Sequence, residues 1–143
     1  MTIEGFFGKY KFLSNMYLCI VKIDDLTYRS SEHAFHSRKA TNKRDRLYIR
    51  SAPTPFIAKQ RGNMIKCRPD WKNIRVDEMY KVVEAKFTQN RVLTLKLLAT
   101  GNELLVEGNY WKDIFWGVYN GKGENWLGKI LMEVRLKLRT MES

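Results

Sequence analysis

Two runs of helically spaced apolar residues constrain this chain most. From Val76 onward, Met79, Tyr80, Val83 and Phe87 recur at helical spacing. After Asn125, which can cap a helix, Leu127, Ile130, Leu131, Val134 and Leu138 do the same. Each run puts an apolar stripe on one helix, and such a stripe has to be buried against another element. Between the two, Val92 to Ala99 reads as a further apolar helix, stopped by Gly101.

The remaining chain supplies shorter elements. Tyr17 to Ile23 is rich in β-formers, Asp24-Asp25 reads as a turn, and Leu26 to Arg29 can return as a second strand. Ser30 or Ser31 can cap a helix running to about Ala40. Pro55 fits the first turn of a short helix, with Thr54 as its cap and Gly62 just past its end. Leu104 to Glu107 and Ile114 to Trp116 are short strand candidates. Pro53, Pro55 and Pro69 mark turns rather than a domain boundary, and no repeat, low-complexity tract or linker interrupts the chain. The expected class is α+β, predominantly helical, with a small β-sheet. Residues 1–143 are expected to form one compact domain, since that length allows a single sizeable core.

Composition narrows the partners. No apolar run approaches the ~20 residues of a membrane-spanning helix. The opening Met1-Thr2-Ile3-Glu4-Gly5 lacks the basic start of a secretory signal. Cys19 and Cys67 are too few for a disulfide framework and read as reduced thiols in a cytoplasmic protein. The formal net charge of +11 creates a field that concentrates phosphorylated metabolites, nucleotides or nucleic acid. Arg38, Lys39, Lys43, Arg44 and Arg46 form one basic cluster, and Lys59, Arg61, Lys66 and Arg68 a second.

Three segments set an ionisable group beside an aromatic one: Ser31-Glu32-His33-Ala34-Phe35, Trp71-Lys72-Asn73-Ile74-Arg75 and Asp113-Ile114-Phe115-Trp116-Gly117. They suggest a pocket for a flat, polar ring. On a helix from Ser31, Glu32, His36 and Lys39 share a face at i, i+4 and i+7. They can serve proton transfer, or form an exposed face with pairing of about 0.3–0.5 kcal/mol each. His33 projects elsewhere, as a hydrogen-bonded structural histidine would. Lys86 sits beside the apolar stripe that carries Phe87. Buried there, its charged form is disfavoured and its amine can act as a Schiff-base nucleophile; the alternative is a lysine whose stem covers apolar surface. Gln89 and Asn90 offer amides for a ring edge, Trp71 a stacking face, and Trp126 a core side chain. Gly117, Gly121 and Gly123 make a loop that can approach a phosphate but matches no phosphate motif. Two histidines without a suitable carboxylate or cysteine spacing argue for no metal, and no cofactor is expected.

Taken in order, Phe12-Leu13-Ser14-Asn15-Met16-Tyr17, Ser31-Glu32-His33-Ala34-Phe35, Lys86-Phe87-Thr88-Gln89-Asn90, Leu97-Leu98-Ala99-Thr100-Gly101, Asp113 to Gly117, Gly123-Glu124-Asn125-Trp126-Leu127-Gly128 and Leu131-Met132-Glu133-Val134-Arg135 resemble the NADAR, or YbiA-like, family over nearly the whole chain. The resemblance implies a mostly helical single domain and N-glycosidase chemistry. Members similar to this chain cleave the C–N bond of phosphoribosylamino-pyrimidines that arise early in riboflavin biosynthesis, releasing ribose 5-phosphate. Others remove ADP-ribose from modified guanine in nucleic acid. By resemblance, Glu32, Trp71, Lys86 and Asp113 match active-site positions, and Asn15, Lys39, Trp116 and Asn125 match pocket motifs. Three departures bear on substrate choice: Met16 where Phe is usual, His36 where Gln is common, and Gly62-Asn63 in place of Gly-Arg.

Cleaving an N-glycoside requires a stabilised leaving amine, tolerance of positive charge on the sugar, and a nucleophile at the anomeric carbon. Those needs cast Glu32 as general acid/base, Lys86 as nucleophile or electrostatic partner, and Asp113 as the group orienting a sugar hydroxyl or water. Trp71 and Trp116 stack on the ring, and Lys39 with nearby arginines binds phosphate. The leading expectation is an N-glycosidase acting on a phosphorylated small molecule, with no membrane partner. The second is an ADP-ribosyl-guanine hydrolase acting on nucleic acid. The third is a non-catalytic nucleotide- or nucleic-acid-binding module, which leaves Glu32 and Asp113 unexplained because carboxylates repel phosphate.

Overall fold

The structure is a computed structural model that describes residues 1–142. The chain divides into two contact units, residues 15–90 and residues 1–14 together with 91 onward. None of the described helices is long and apolar enough to cross a membrane.

The first unit opens on a hairpin. Strands β2 (Leu18–Ile23) and β3 (Leu26–Ser30) pair antiparallel, with Val21 opposite Tyr28 and an irregularity between Leu18 and Val21. Asp24 takes a left-handed φ of 55° at the turn, a conformation that Asp tolerates better than most residues. Ser30 then caps α1 (Ser31–Ser37), its side chain accepting the His33 N–H. The helix is shorter than expected. Arg38, Lys39 and Ala40 donate to the carbonyls three residues back, closing it as a tight turn.

Asn42 caps α2 (Lys43–Arg50), and Thr54 caps α3 (Pro55–Gly62), where Pro55 takes the first turn. Gly62 is the last helical residue of α3 rather than the one past its end. α2 was not anticipated, because only Ile49 of its eight residues is buried and no apolar stripe announces it. α4 (Trp71–Gln89) begins five residues before the expected Val76. Its buried face includes Met79, Val82, Val83, Lys86 and Phe87. Gln89 clamps the edge of β2, accepting from the Lys22 N–H and donating to the Lys22 carbonyl, both at 2.8 Å, while Asn90 donates to the Ile20 carbonyl at 3.0 Å. The amides expected to read a ligand ring instead fasten α4 to the hairpin.

The second unit joins β1 (Thr2–Glu4) in parallel to β4 (Leu104–Val106) and adds a 3-10 helix over Gly8–Leu13. α5 (Arg91–Ala99) and α6 (Trp126–Glu142) pack together, and α6 also lies on β4. All five expected stripe residues of α6, Leu127, Ile130, Leu131, Val134 and Leu138, are buried. Ile114 to Trp116 is no strand; Asp113 folds it into a turn by accepting the Phe115 and Trp116 N–H groups. Trp126 is half-buried with its Nε1–H on Glu124, so it is no core side chain.

Candidate active site

In the first unit, α1 carries Glu32 and His36, and α4 carries Trp71 and Lys86. Glu32 is 8 % exposed and its Oε2 lies 3.2 Å from His36 Nε2, one turn along α1. The Glu32 N–H donates to the Asn15 carbonyl at 3.1 Å, and Ser31 Oγ donates to Asn15 Oδ1 at 2.9 Å. The Asn15 amide in turn reaches the Met79 sulfur at 3.4 Å. Asn15 is therefore buried as a strut between the start of α1 and the inner face of α4. Its amide makes these structural bonds whatever else it touches.

Lys86 lies seven residues, or about two turns, beyond Met79 on the inner face of α4. It is 1 % exposed, and its Nζ sits 5.7 Å from the centroid of the Tyr17 ring. Removal from water disfavours the ammonium and pushes its pKa down to about 8, against an opposing pull from Cys19. Burial in turn pushes the Cys19 thiol up, and the Lys86 charge offsets part of that. Lys86 is thus an amine that gives up its proton more readily than a solvated lysine does.

Trp71 opens α4, where Asp70 provides no side-chain cap because Arg68 holds its carboxylate. The indole is half-buried and packs on Phe35 of α1 with ring centroids 5.2 Å apart. Lys39, just past α1, donates to Asn63 Oδ1 at 3.4 Å. Desolvation lowers its pKa first; Cys67 and Glu32 oppose that, and Lys59 adds to it. Two amines, Lys39 and Lys59, therefore share a neighbourhood that favours an anion between them. His33 is structural as expected: Ser30 Oγ stands 2.7 Å from Nδ1, and Nε2–H donates to the Ala52 carbonyl at 2.9 Å.

Glu78 was not singled out from the sequence. It is buried on α4, within 3.3 Å of Arg38 and 3.9 Å of both Arg68 and Lys81. Only the spacing to Lys81 was visible locally; Arg38 is forty positions away. This ion-pair network holds the end of α1 to α4 beside the site.

The second unit places the other expected residues in local frameworks. Asp113 Oδ1 accepts from Phe115 N at 3.1 Å and Trp116 N at 2.9 Å, while Asn109 grips the Asp113 backbone at both N–H and carbonyl. Trp116 is half-buried, edge-on to Phe115, and its carbonyl accepts the Leu127 N–H. Asn125 accepts from Glu107 N and donates to the Leu105 carbonyl, both at 3.0 Å, which ties the start of α6 to β4. The glycines of this loop serve close packing: a Cβ on Gly117 would stand 2.2 Å from the Glu107 carbonyl, and one on Gly123 equally close to that of Gly117. Among the described residues, no group of three or more His, Cys, Asp and Glu could hold a metal ion.

The NADAR domain family model matches residues 5–139, a span drawn from both contact units. The chain belongs to the NADAR family. It is 38% identical to N-glycosidase YbiA of Shigella sonnei (strain Ss046), with 96% of this chain and 89% of that protein covered. It is also 38% identical to a riboflavin biosynthesis protein of Vibrio vulnificus (strain YJ016), over 90% of this chain and 35% of that longer protein. The NMR structure of the E. coli protein YbiA matches with a TM-score of 0.89 at 33% identity, covering 99% of this chain and 86% of that one. The predominantly helical α+β fold with small sheets is therefore the YbiA fold.

Proposed function

We propose that this NADAR chain is an N-glycosidase that hydrolyses the bond between a phosphoribosyl group and the exocyclic amine of a pyrimidine on the route to riboflavin. Residues 1–143 act in this reading as one domain. The observation that carries it is Lys86: an amine with 1 % exposure on α4, whose proton is held only up to about pH 8. A neighbouring helix carries a buried carboxylate, Glu32. Relatives named N-glycosidase and riboflavin biosynthesis protein support the substrate class.

An N-glycoside on an exocyclic amine opens to an imine at the anomeric carbon. The neutral Lys86 amine adds to that carbon, and Glu32 gives a proton to the departing nitrogen. The pyrimidine leaves as its free amine, and the sugar stays as an imine on Lys86. Water adds to the imine carbon, ribose 5-phosphate departs, and Lys86 is restored. Trp71 supplies the face on which the pyrimidine stacks, and Lys39 with Lys59 attracts the phosphate. By the family resemblance, Asp113 is assigned the orienting of a sugar hydroxyl or water, Trp116 a second stacking face, and Asn15 and Asn125 pocket positions.

The deciding assay supplies a phosphoribosylamino-pyrimidine and, separately, ADP-ribosylated DNA. Release of ribose 5-phosphate from the first is expected. Release of ADP-ribose from the second alone would move the substrate class to nucleic acid. Glu32→Gln is expected to lower the rate by about 10²–10⁴, the usual worth of general acid–base catalysis; near-normal turnover removes Glu32 from the role. Borohydride added during turnover should fix the sugar to Lys86, and an unlabelled Lys86 would leave it as an electrostatic partner.

A further inference from the structure

We infer that His36 is a positioning residue for Glu32: its Nε2–H holds one carboxylate oxygen and leaves the other for proton transfer. The inference rests on Glu32 being the general acid/base. Nε2 stands 3.2 Å from Glu32 Oε2, with both side chains nearly buried. This is the one hydrogen-bonding or ion-pair contact of the Glu32 side chain among the described residues.

The far side of the ring selects the tautomer. His36 Nδ1 is buried and makes no hydrogen bond. It faces the backbone of Gly62 on α3 so closely that a Cβ there would lie 2.9 Å from it. An N–H buried without an acceptor is disfavoured, whereas a bare ring nitrogen is tolerated. The packing thus places the proton on Nε2, where it donates to Glu32. Gly62 and the Phe35 ring, 5.3 Å from the imidazole, hold the ring in its plane. When Glu32 has given its proton to the leaving nitrogen, the resulting carboxylate keeps this donor in place.

Several charged groups on the elements packed against α1 have their own partners or neighbours. Glu78 of α4 is paired with Arg38, and Asp45 and Arg50 of α2 bond to Asn42 and Thr27. Arg29 of β3 acts on His33, Lys59 of α3 acts on Lys39, and Lys86 of α4 acts with Cys19. None of these contacts the His36 ring among the described residues.

The test combines kinetics with proton NMR of the two imidazole rings. His36→Ala is expected to lower kcat about tenfold or more with KM little changed. His36→Gln, whose amide can donate from a similar place, should recover most of that loss. In Glu32→Gln the His36 titration should move, and by more than that of His33, which the Glu32 charge reaches without a hydrogen bond. Wild-type kcat in His36→Ala, or an unmoved His36 titration in Glu32→Gln, overturns the inference. Should His36→Ala fail to fold, the titration alone decides. Near-normal turnover in Glu32→Gln with a shifted His36 titration would instead refute the acid/base reading while leaving the pair itself intact.

Discussion

Lys86 is the residue whose surroundings most change its ordinary chemistry, and its burial makes a stability prediction. Unfolded, its amine titrates near 10.5; folded, near 8. Below about pH 8 both states hold the proton, and the folded chain bears the full cost of a buried ammonium. Between about 8 and 10.5 the unfolded chain binds more protons, so stability rises with pH. The gap corresponds to a cost on the order of 3 kcal/mol at neutral pH. Lys86→Met should therefore be more stable than the wild type at pH 7 by up to that order, with the difference closing towards pH 10, as read by urea denaturation. The same titration separates the amine's two roles. If Lys86 attacks carbon, kcat rises with pH through about 8; if it acts by charge, kcat falls there. Trp71 carries a different lesson at this scale. From the sequence its indole offers a stacking face, and in the fold Trp71 opens a helix, stays half-buried and packs on Phe35. The aromatic pairing across thirty-six positions had no local trace.

Elements announced by a stripe, by a run of β-formers, or by a cap with a proline or apolar row behind it were legible; a cap alone was not enough. The α6 stripe, the β2–β3 hairpin, the Thr54–Pro55 start of α3 and the Ser30 cap all follow from local spacing and chemistry. α2 has a good cap in Asn42 but buries one side chain, so periodicity could not find it. The extra turns of α4 were missed for a related reason: Trp71 to Arg75 carries no continuous apolar row. The contact of α6 with β4 depends on Gly128, where a Cβ would stand 2.2 Å from the Leu105 carbonyl and 2.3 Å from Asn125 Nδ2. Alanine improves intrinsic helix propensity by about 1 kcal/mol. A backbone carbonyl at that distance cannot step aside, and overpacking costs typically about 1–3 kcal/mol. Gly128→Ala should lower the urea midpoint with little change in the slope of the transition.

For the whole molecule, a net charge of +11 acts at a distance that individual contacts do not. The screening length is about 10 Å at 0.1 M salt. Raising salt from about 0.05 to 0.5 M should raise KM for a phosphorylated substrate severalfold while leaving kcat nearly constant, because the Glu32–His36 pair is buried and weakly screened. A KM indifferent to salt would mean that the field plays no part in capture. Family membership was also readable before any coordinates, since the motifs occur in order along the chain and the family match spans residues 5–139. Amphipathic spacing and capping chemistry are local, and they determined most helices and the hairpin. Only the tertiary structure decided where polar side chains go. Gln89 and Asn90 bond to β2, Asn125 to β4, Asn15 to Met79, and Glu78 to Arg38. A hydrogen bond needs its donor and acceptor within about 3 Å, and residues dozens of positions apart meet at that distance only once the backbone has folded.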